Sequence, residues 1–200
     1  MSKQLSNPLQ ALIRKSASTL PATTGTVARY EERLNRTDGP RIILADLSGS
    51  MESPAWGQRR KIDLLCEAVD SILGNAREPV RLIAFAGTPV DGISQLPREA
   101  LSGSTALHLA LDCAARHRPR ATLVISDGQP DDEEWALAAA RNLPGRIDVL
   151  YIGPDIEKSA IQFMQRLARL GCGDCVTNDL AQTGQPALER SIRQLLLCSS

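Results

Sequence analysis

The sequence predicts an α/β fold: a mostly parallel central sheet with one short antiparallel edge strand, helices on both faces and an N-terminal helical arm. Three observations predict it. Short apolar runs alternate with segments whose apolar residues recur at helical spacing, the pattern of βα units. The run at residues 42–45 is apolar on both faces, which suits a strand buried within a parallel sheet, and further strands are read at 80–85, 121–126 and 147–152. Loops of small, oxygen-bearing residues follow two of these runs, at the strand ends where open α/β sheets bind ligands.

Residues 1–38 differ in pattern from the rest of the chain and read as an arm and linker, with the domain proper at 39–200. Leu5, Leu9, Leu12 and Ile13 recur at helical spacing; a Ser/Thr/Pro/Gly-rich stretch occupies 16–26; residues 27–36 form a second short helical pattern. Asp38-Gly39-Pro40 then makes a turn. The first strand, 42–45, runs into Asp-Leu-Ser-Gly-Ser. Ile62, Leu65, Cys66, Val69, Ile72 and Leu73 mark a helix that Gly74-Asn75 stops. A strand at 80–85 is followed by a short edge strand within 87–95 and a helix over 105–115. The strand at 121–126 leads into the acidic loop 127–134 and a helix through Asn142. A strand at 147–152, a helix at 159–170, a brief strand at 176–177 and a helix at 187–197 complete the pattern.

The chain has 200 residues, enough for one domain with a short appendage and for a core that needs no disulfide or zinc staple. Lys plus Arg and Asp plus Glu are 23 each, and the aromatic share is 3%. Neither a basic excess nor an aromatic stacking platform is present, so no nucleic-acid partner is expected. The first residues lack an apolar core of signal-peptide length, and no stretch approaches the roughly 20 apolar residues that span a bilayer. A cytoplasmic protein with no membrane partner is expected. Five cysteines, an odd number, fit reduced thiols in that compartment better than a disulfide framework.

Three loops carry the chemistry. Asp46, Ser48 and Ser50 stand in Asp-Leu-Ser-Gly-Ser-Met; Thr105 stands in Ser-Gly-Ser-Thr-Ala-Leu at a helix start; Asp127 stands in Ile-Ser-Asp-Gly. Hard cations such as Mg²⁺ prefer oxygen donors, and hydroxyls with one or two aspartates supply them. Alternate residues on a turning loop can point at one position, and Gly49 lets the backbone turn sharply. Two aspartates neutralise a divalent ion without saturating it, which leaves an open position for a carboxylate from another molecule. Taken alone, Asp-x-Ser-x-Ser also reads as a hydrogen-bonded turn.

The ordered set of three resembles von Willebrand factor A (vWA) domains of the intracellular bacterial or phage type. Their metal-ion-dependent adhesion site has Asp-x-Ser-x-Ser, then Thr, then Asp. Asp46-Leu47-Ser48-Gly49-Ser50, Thr105 and Asp127-Gly128 match it in order, and the resemblance covers about residues 41–198. It implies a Rossmann-like fold with one cation on the upper rim of the sheet. Asp46, Ser48, Ser50 and Thr105 would hold the ion directly or through water, and Asp127 through a bridging water. Mg²⁺ is expected, with Mn²⁺ or Ca²⁺ as alternatives.

Other residues have plainer readings. Asp131, Asp132, Glu133 and Glu134 suit a helix N-terminus. Cys172-Gly-Asp-Cys175 reads as a structural turn, with a reversible disulfide as the alternative and zinc disfavoured for want of further ligands. Cys66 and Cys113 fall on apolar helix faces. His108 reads as a packed or surface histidine, and His117 as a solvated helix end. Arg59-Arg60-Lys61 reads as an exposed helix start that would attract acidic partners only if it faced the site. Trp56, just after the first loop, is a candidate contact residue.

The leading functional expectation, by resemblance, is a non-enzymatic module that grips an Asp or Glu of a partner protein through the cation. Intracellular relatives of this kind serve as adaptors in assemblies, some built around AAA+ ATPases. The chain has no Gly-x-x-x-x-Gly-Lys-Ser/Thr loop of its own, so an ATPase would be another chain. The alternatives are a structural component of a particle with a stabilising metal, and a metal-dependent hydrolase. The last lacks an evident base or second metal.

Overall fold

The computed structural model describes residues 31–33, 35–76 and 78–197. The chain divides into two units, Met1–Glu32 and Arg33–Ser200. The helical pattern at 5–13 and the first residues, 27–30, of the one at 27–36 lie outside the described residues, and 31–33 are helical.

From Arg41 onward the described residues form six strands and five helices: β1 (Arg41–Asp46), α1 (Lys61–Gly74), β2 (Val80–Phe85), β3 (Pro89–Ile93), α2 (Leu107–Ala115), β4 (Ala121–Ser126), α3 (Glu133–Asn142), β5 (Arg146–Tyr151), α4 (Lys158–Leu170), β6 (Cys172–Thr177) and α5 (Gln185–Leu197). Two 3-10 turns, Gly49–Glu52 and Trp56–Gln58, lie between β1 and α1. The sheet order is β3-β2-β1-β4-β5-β6, and only β3 pairs antiparallel, with β2. The expected fold class is what the chain adopts.

Side chains alternate across the sheet, so each strand feeds two cores. Ile42, Leu44, Val124 and Val149 pack with Leu111, Leu137 and Phe163 under α2, α3 and α4. Ile43, Ala45, Ile125 and Leu150 pack with Ile62, Leu65, Leu188 and Ile192 under α1 and α5. Both faces being apolar explains why the strands read as continuous hydrophobic runs. Cys66 and Cys113 are buried in these layers, as expected.

Sequence neighbours fill the sheet outward from β1, first to β2 and β3, then across to β4, β5 and β6. Strand order thus reverses between β1 and β4. The loops leaving those two strands, one carrying Asp46 and the other Asp127, meet at this switch point.

Three expectations need correction. Cys172 to Cys175 form most of β6 rather than a turn. The Gly-Asp pair resembles turn chemistry, but the glycines serve close backbone approach: a Cβ on Gly173 would lie 2.0 Å from the Ile147 carbonyl oxygen. Both cysteines are free thiols. His117 is not a solvated helix end; its Nε2 lies 2.7 Å from Asp91 Oδ2 on β3. Helix α2 starts at Leu107, so Thr105 belongs to the preceding loop rather than to the helix.

Candidate metal centre

β1 ends at Asp46, which is fully buried. Its Oδ1 accepts the Ser48 backbone N–H at 2.9 Å, closing the turn that starts the loop. Its Oδ2 accepts the Ser126 hydroxyl at 2.6 Å, from the last residue of the neighbouring strand β4. Both oxygens are thus held before any ligand arrives. Burial pushes the Asp46 carboxyl up to about 6, against the hydrogen bonds from Ser126 and Ser48, and the charge of Asp127 adds to the rise. A cation bound beside it would favour its ionised form.

Beyond Asp46 the chain turns through Gly49–Glu52, anchored by Met51, whose side chain is fully buried. This turn brings Ser48 Oγ to 3.1 Å from Ser50 Oγ. Ser50 Oγ donates to Asp127 Oδ1 at 2.7 Å. A continuous chain of side-chain and backbone contacts therefore joins Asp46, Ser48, Ser50 and Asp127, four of the five residues expected at the site.

Thr105 is not hydrogen-bonded to the other four through its side chain. Its loop is tied in by the backbone: Ala106 N–H donates to Ala86 O at the end of β2, and Asp131 N–H donates to Thr105 O at 3.1 Å. The approach of this loop depends on Gly103, at φ +108°, where a Cβ would stand 2.7 Å from Gly87 Cα. Asp131 in turn accepts from Thr105 N–H and from the Ser104 hydroxyl. Asp132 caps α3 by accepting the Trp135 N–H at 2.9 Å, as expected of the acidic loop.

Lys61, in sequence part of a basic triplet expected to be exposed, is the residue that differs most from expectation. Its side chain is largely buried and its Nζ donates to Asp127 Oδ2 at 2.6 Å. Arg59 and Arg60 turn away to Glu67 and Asp63 on α1. One signal is available: Lys61, Leu65, Ala68 and Ile72 share the helix stripe that faces the sheet, so the first basic residue of that stripe points inward. Ser126 also escapes sequence reasoning, because a serine ending an apolar strand looks like an ordinary strand terminus.

The donor set is oxygen-only, and two of its members are carboxylates that are essentially buried. Lys61 compensates Asp127, but Asp46 has only the neutral Ser48 N–H and Ser126 hydroxyl, and a buried carboxylate is rarely taken out of water without a cation. The set fits a hard divalent ion and does not fit zinc, which favours nitrogen and sulfur. A second group of possible ligands, Asp91, Cys113 and His117, has ligand atoms within 4.8 Å of one another. There Arg81 already grips both Asp91 oxygens at 2.7 and 3.0 Å. A fixed guanidinium on the group's one carboxylate opposes a cation, so this is an ion-pair cluster.

His108 stacks edge-on against Trp135, with ring centroids 5.6 Å apart, and is a packed residue as expected. Trp56 is 53% exposed.

No family model and no curated protein matches the chain. Solved structures do. The VWA domain of SpRpn10 superposes with a TM-score of 0.57 at 15% identity, covering 76% of this chain and 94% of that one. The fold is that of a von Willebrand factor A domain. An aerotolerance-related membrane protein of Bacteroides fragilis gives a TM-score of 0.60 at 19% identity, over 79% of this chain and 98% of that one. Manganese-loaded TRAP protein of Plasmodium vivax gives 0.55 at 17%, over 80% and 73% respectively. No helix among the described residues of this vWA fold is long and apolar enough to cross a membrane.

Proposed function

We propose that the chain is a metal-dependent protein-interaction module. In this reading Asp46, Ser48, Ser50, Thr105 and Asp127 hold one divalent cation, Mg²⁺ in the first instance, and an Asp or Glu of a partner protein completes the ion's coordination. The observation that carries the reading is the meeting of two buried carboxylates and two serine hydroxyls at the switch point of a vWA sheet. The manganese-loaded neighbour adds weight to a divalent ion. The bound ion would act as a Lewis acid toward an incoming carboxylate oxygen. The chain's residues orient the donors: Ser126 and Ser48 N–H hold Asp46, and Ser50 holds Asp127 Oδ1.

A binding role is favoured over hydrolysis by what surrounds the site. Lys61 is committed to Asp127, and His108, packed edge-on against Trp135, shares no hydrogen bond with the five ligand candidates. The rim also presents apolar surface. Trp56, Trp135 and Ile156 are 53%, 65% and 83% exposed, and each lies in or just beyond a loop leaving the carboxyl end of a sheet strand. Exposed aromatic anchors beside a charged centre suit a protein partner. The module would serve as an adaptor in a larger assembly, with an AAA+ ATPase among the partner types to test.

Mn²⁺ titration followed by electron paramagnetic resonance tests the reading directly. Wild type binds one Mn²⁺, which Mg²⁺ displaces; Asp46→Asn and Ser48→Ala, both folded by circular dichroism, lose at least about tenfold in affinity. Folded wild type that takes up no Mn²⁺ sinks the proposal.

A further inference from the structure

We infer that Lys61 is a built-in counter-charge that sets the ligand preference of the candidate metal centre: it weakens capture of the cation and leaves the loaded site with one positive charge in excess, to be balanced by a single carboxylate. The inference rests on the metal-binding reading above.

The geometry is specific. Asp127 divides its two oxygens between two partners, Oδ1 to the Ser50 hydroxyl at 2.7 Å and Oδ2 to Lys61 Nζ at 2.6 Å. The ammonium therefore holds the oxygen remote from the serines, and leaves Oδ1 turned toward them. Lys61 starts α1, with its N–H bonded to the Ser53 carbonyl, and its side chain is 11% exposed against 2% for Asp127. Such a pair is poorly screened by solvent. Of the basic triplet, only Lys61 faces the site, since Arg59 and Arg60 are spent on Glu67 and Asp63.

The buried charges balance in steps. Two buried carboxylates and one buried ammonium give the side chains of the centre one net negative charge. Asp131 stands beside Thr105 but is exposed and engaged with Ser104, so solvent screens it more strongly. A divalent ion takes the buried centre to one net positive charge, and one carboxylate takes it to zero. With a neutral residue at 61, the ion alone would reach neutrality, and the centre would hold metal more tightly while attracting a carboxylate less. Lys61 also gives Asp127 a partner before metal arrives, so the empty site does not rest on two unpaired like charges.

The test compares wild type with Lys61→Met, which keeps the apolar stem without charge, and Lys61→Arg, which keeps the charge. Mn²⁺ affinity should rise about tenfold or more in Lys61→Met and stay near wild type in Lys61→Arg. Binding of acetate to the Mg²⁺-loaded proteins, followed by NMR, should weaken by a similar factor in Lys61→Met alone. Equal Mn²⁺ affinity in wild type and Lys61→Met overturns the inference while leaving the metal site intact; unchanged acetate binding overturns it likewise. Wild type that binds no Mn²⁺ removes the metal reading itself. Should Lys61→Met not fold, the wild-type chain still decides: the Lys61 ¹⁵N-ammonium resonance, identified by its absence in Lys61→Arg, shifts on Mg²⁺ addition if the ammonium senses the ion. An unmoved resonance overturns the inference.

Discussion

At the scale of single residues, the centre depends on side chains that never need to touch the ion. Ser126 is one: fully buried, it donates to Asp46 Oδ2 at 2.6 Å. A hydrogen bond to a charged acceptor in a buried site contributes roughly 1.5–3 kcal/mol. Groups that orient a metal ligand typically change affinity about tenfold or more when removed. Ser126→Ala should therefore lower Mn²⁺ affinity by about tenfold, although Ser126 is not among the five ligand candidates. Unchanged affinity would mean that the Ser48 N–H alone is enough to orient Asp46. Lys61 also acts through a carboxylate, Asp127, but with the opposite sign: its charge opposes the cation that the neutral Ser126 hydroxyl prepares Asp46 to hold.

At the scale of elements, the edge of the sheet is clipped by charge. Asp91 on β3 binds Arg81 on β2 and His117 beyond α2, joining three elements through one carboxylate. The hydrogen bonds from Arg81, then from His117 and Gly92, hold that carboxyl down at about 2, despite partial burial. Because the folded value lies below the ordinary 3.8, the unfolded chain takes up its proton first as pH falls. The stabilisation is therefore complete above about pH 4 and is lost as pH falls toward 2. Allowing for solvent screening of a side chain 25% exposed, it is worth roughly 1 kcal/mol. Unfolding free energies of wild type and Asp91→Asn from urea titrations should differ by that amount at pH 5–7 and by only a small part of it at pH 2; an undiminished difference at pH 2 would show that shape rather than charge holds the edge.

The elements also show what the sequence makes legible. β2 and β4 match their apolar runs residue for residue, because strands covered on both faces have nothing to signal but hydrophobicity. Helix ends shift by one or two residues, as at Gln185, two residues before the start that apolar spacing gives. β6 reads as two residues in the sequence and spans six, since Gly173 and Asp174 resemble a turn until the approach to Ile147 is seen. The three-loop ligand pattern is readable because its residues are unusual together. Lys61 and Ser126 are not, because each is ordinary in its own segment and gains meaning only when β1 and β4 lie side by side.

At the scale of the whole molecule, the ion and the apolar rim make different contributions, and a partner should sense both. In the proposed reading the cation would supply charge recognition, which favours the right register and encounter more than raw affinity. Trp56, Trp135 and Ile156, exposed beside loops from β1, β4 and β5, supply area that water leaves on docking. A protein captured from source-cell lysate by wild type with Mg²⁺, and lost with EDTA, should also be lost or weakened at least about tenfold by Trp56→Ala with Trp135→Ala. Mn²⁺ affinity should stay unchanged in that double variant, since neither indole bonds to Asp46, Ser48, Ser50 or Asp127 through its side chain. That split separates an adhesion surface from a structural metal. A metal that only stabilises the domain raises its melting temperature by mass action in the double variant and wild type alike, with no capture to lose. Full capture by the double variant, still abolished by EDTA, would confine recognition to the ion and its immediate loops.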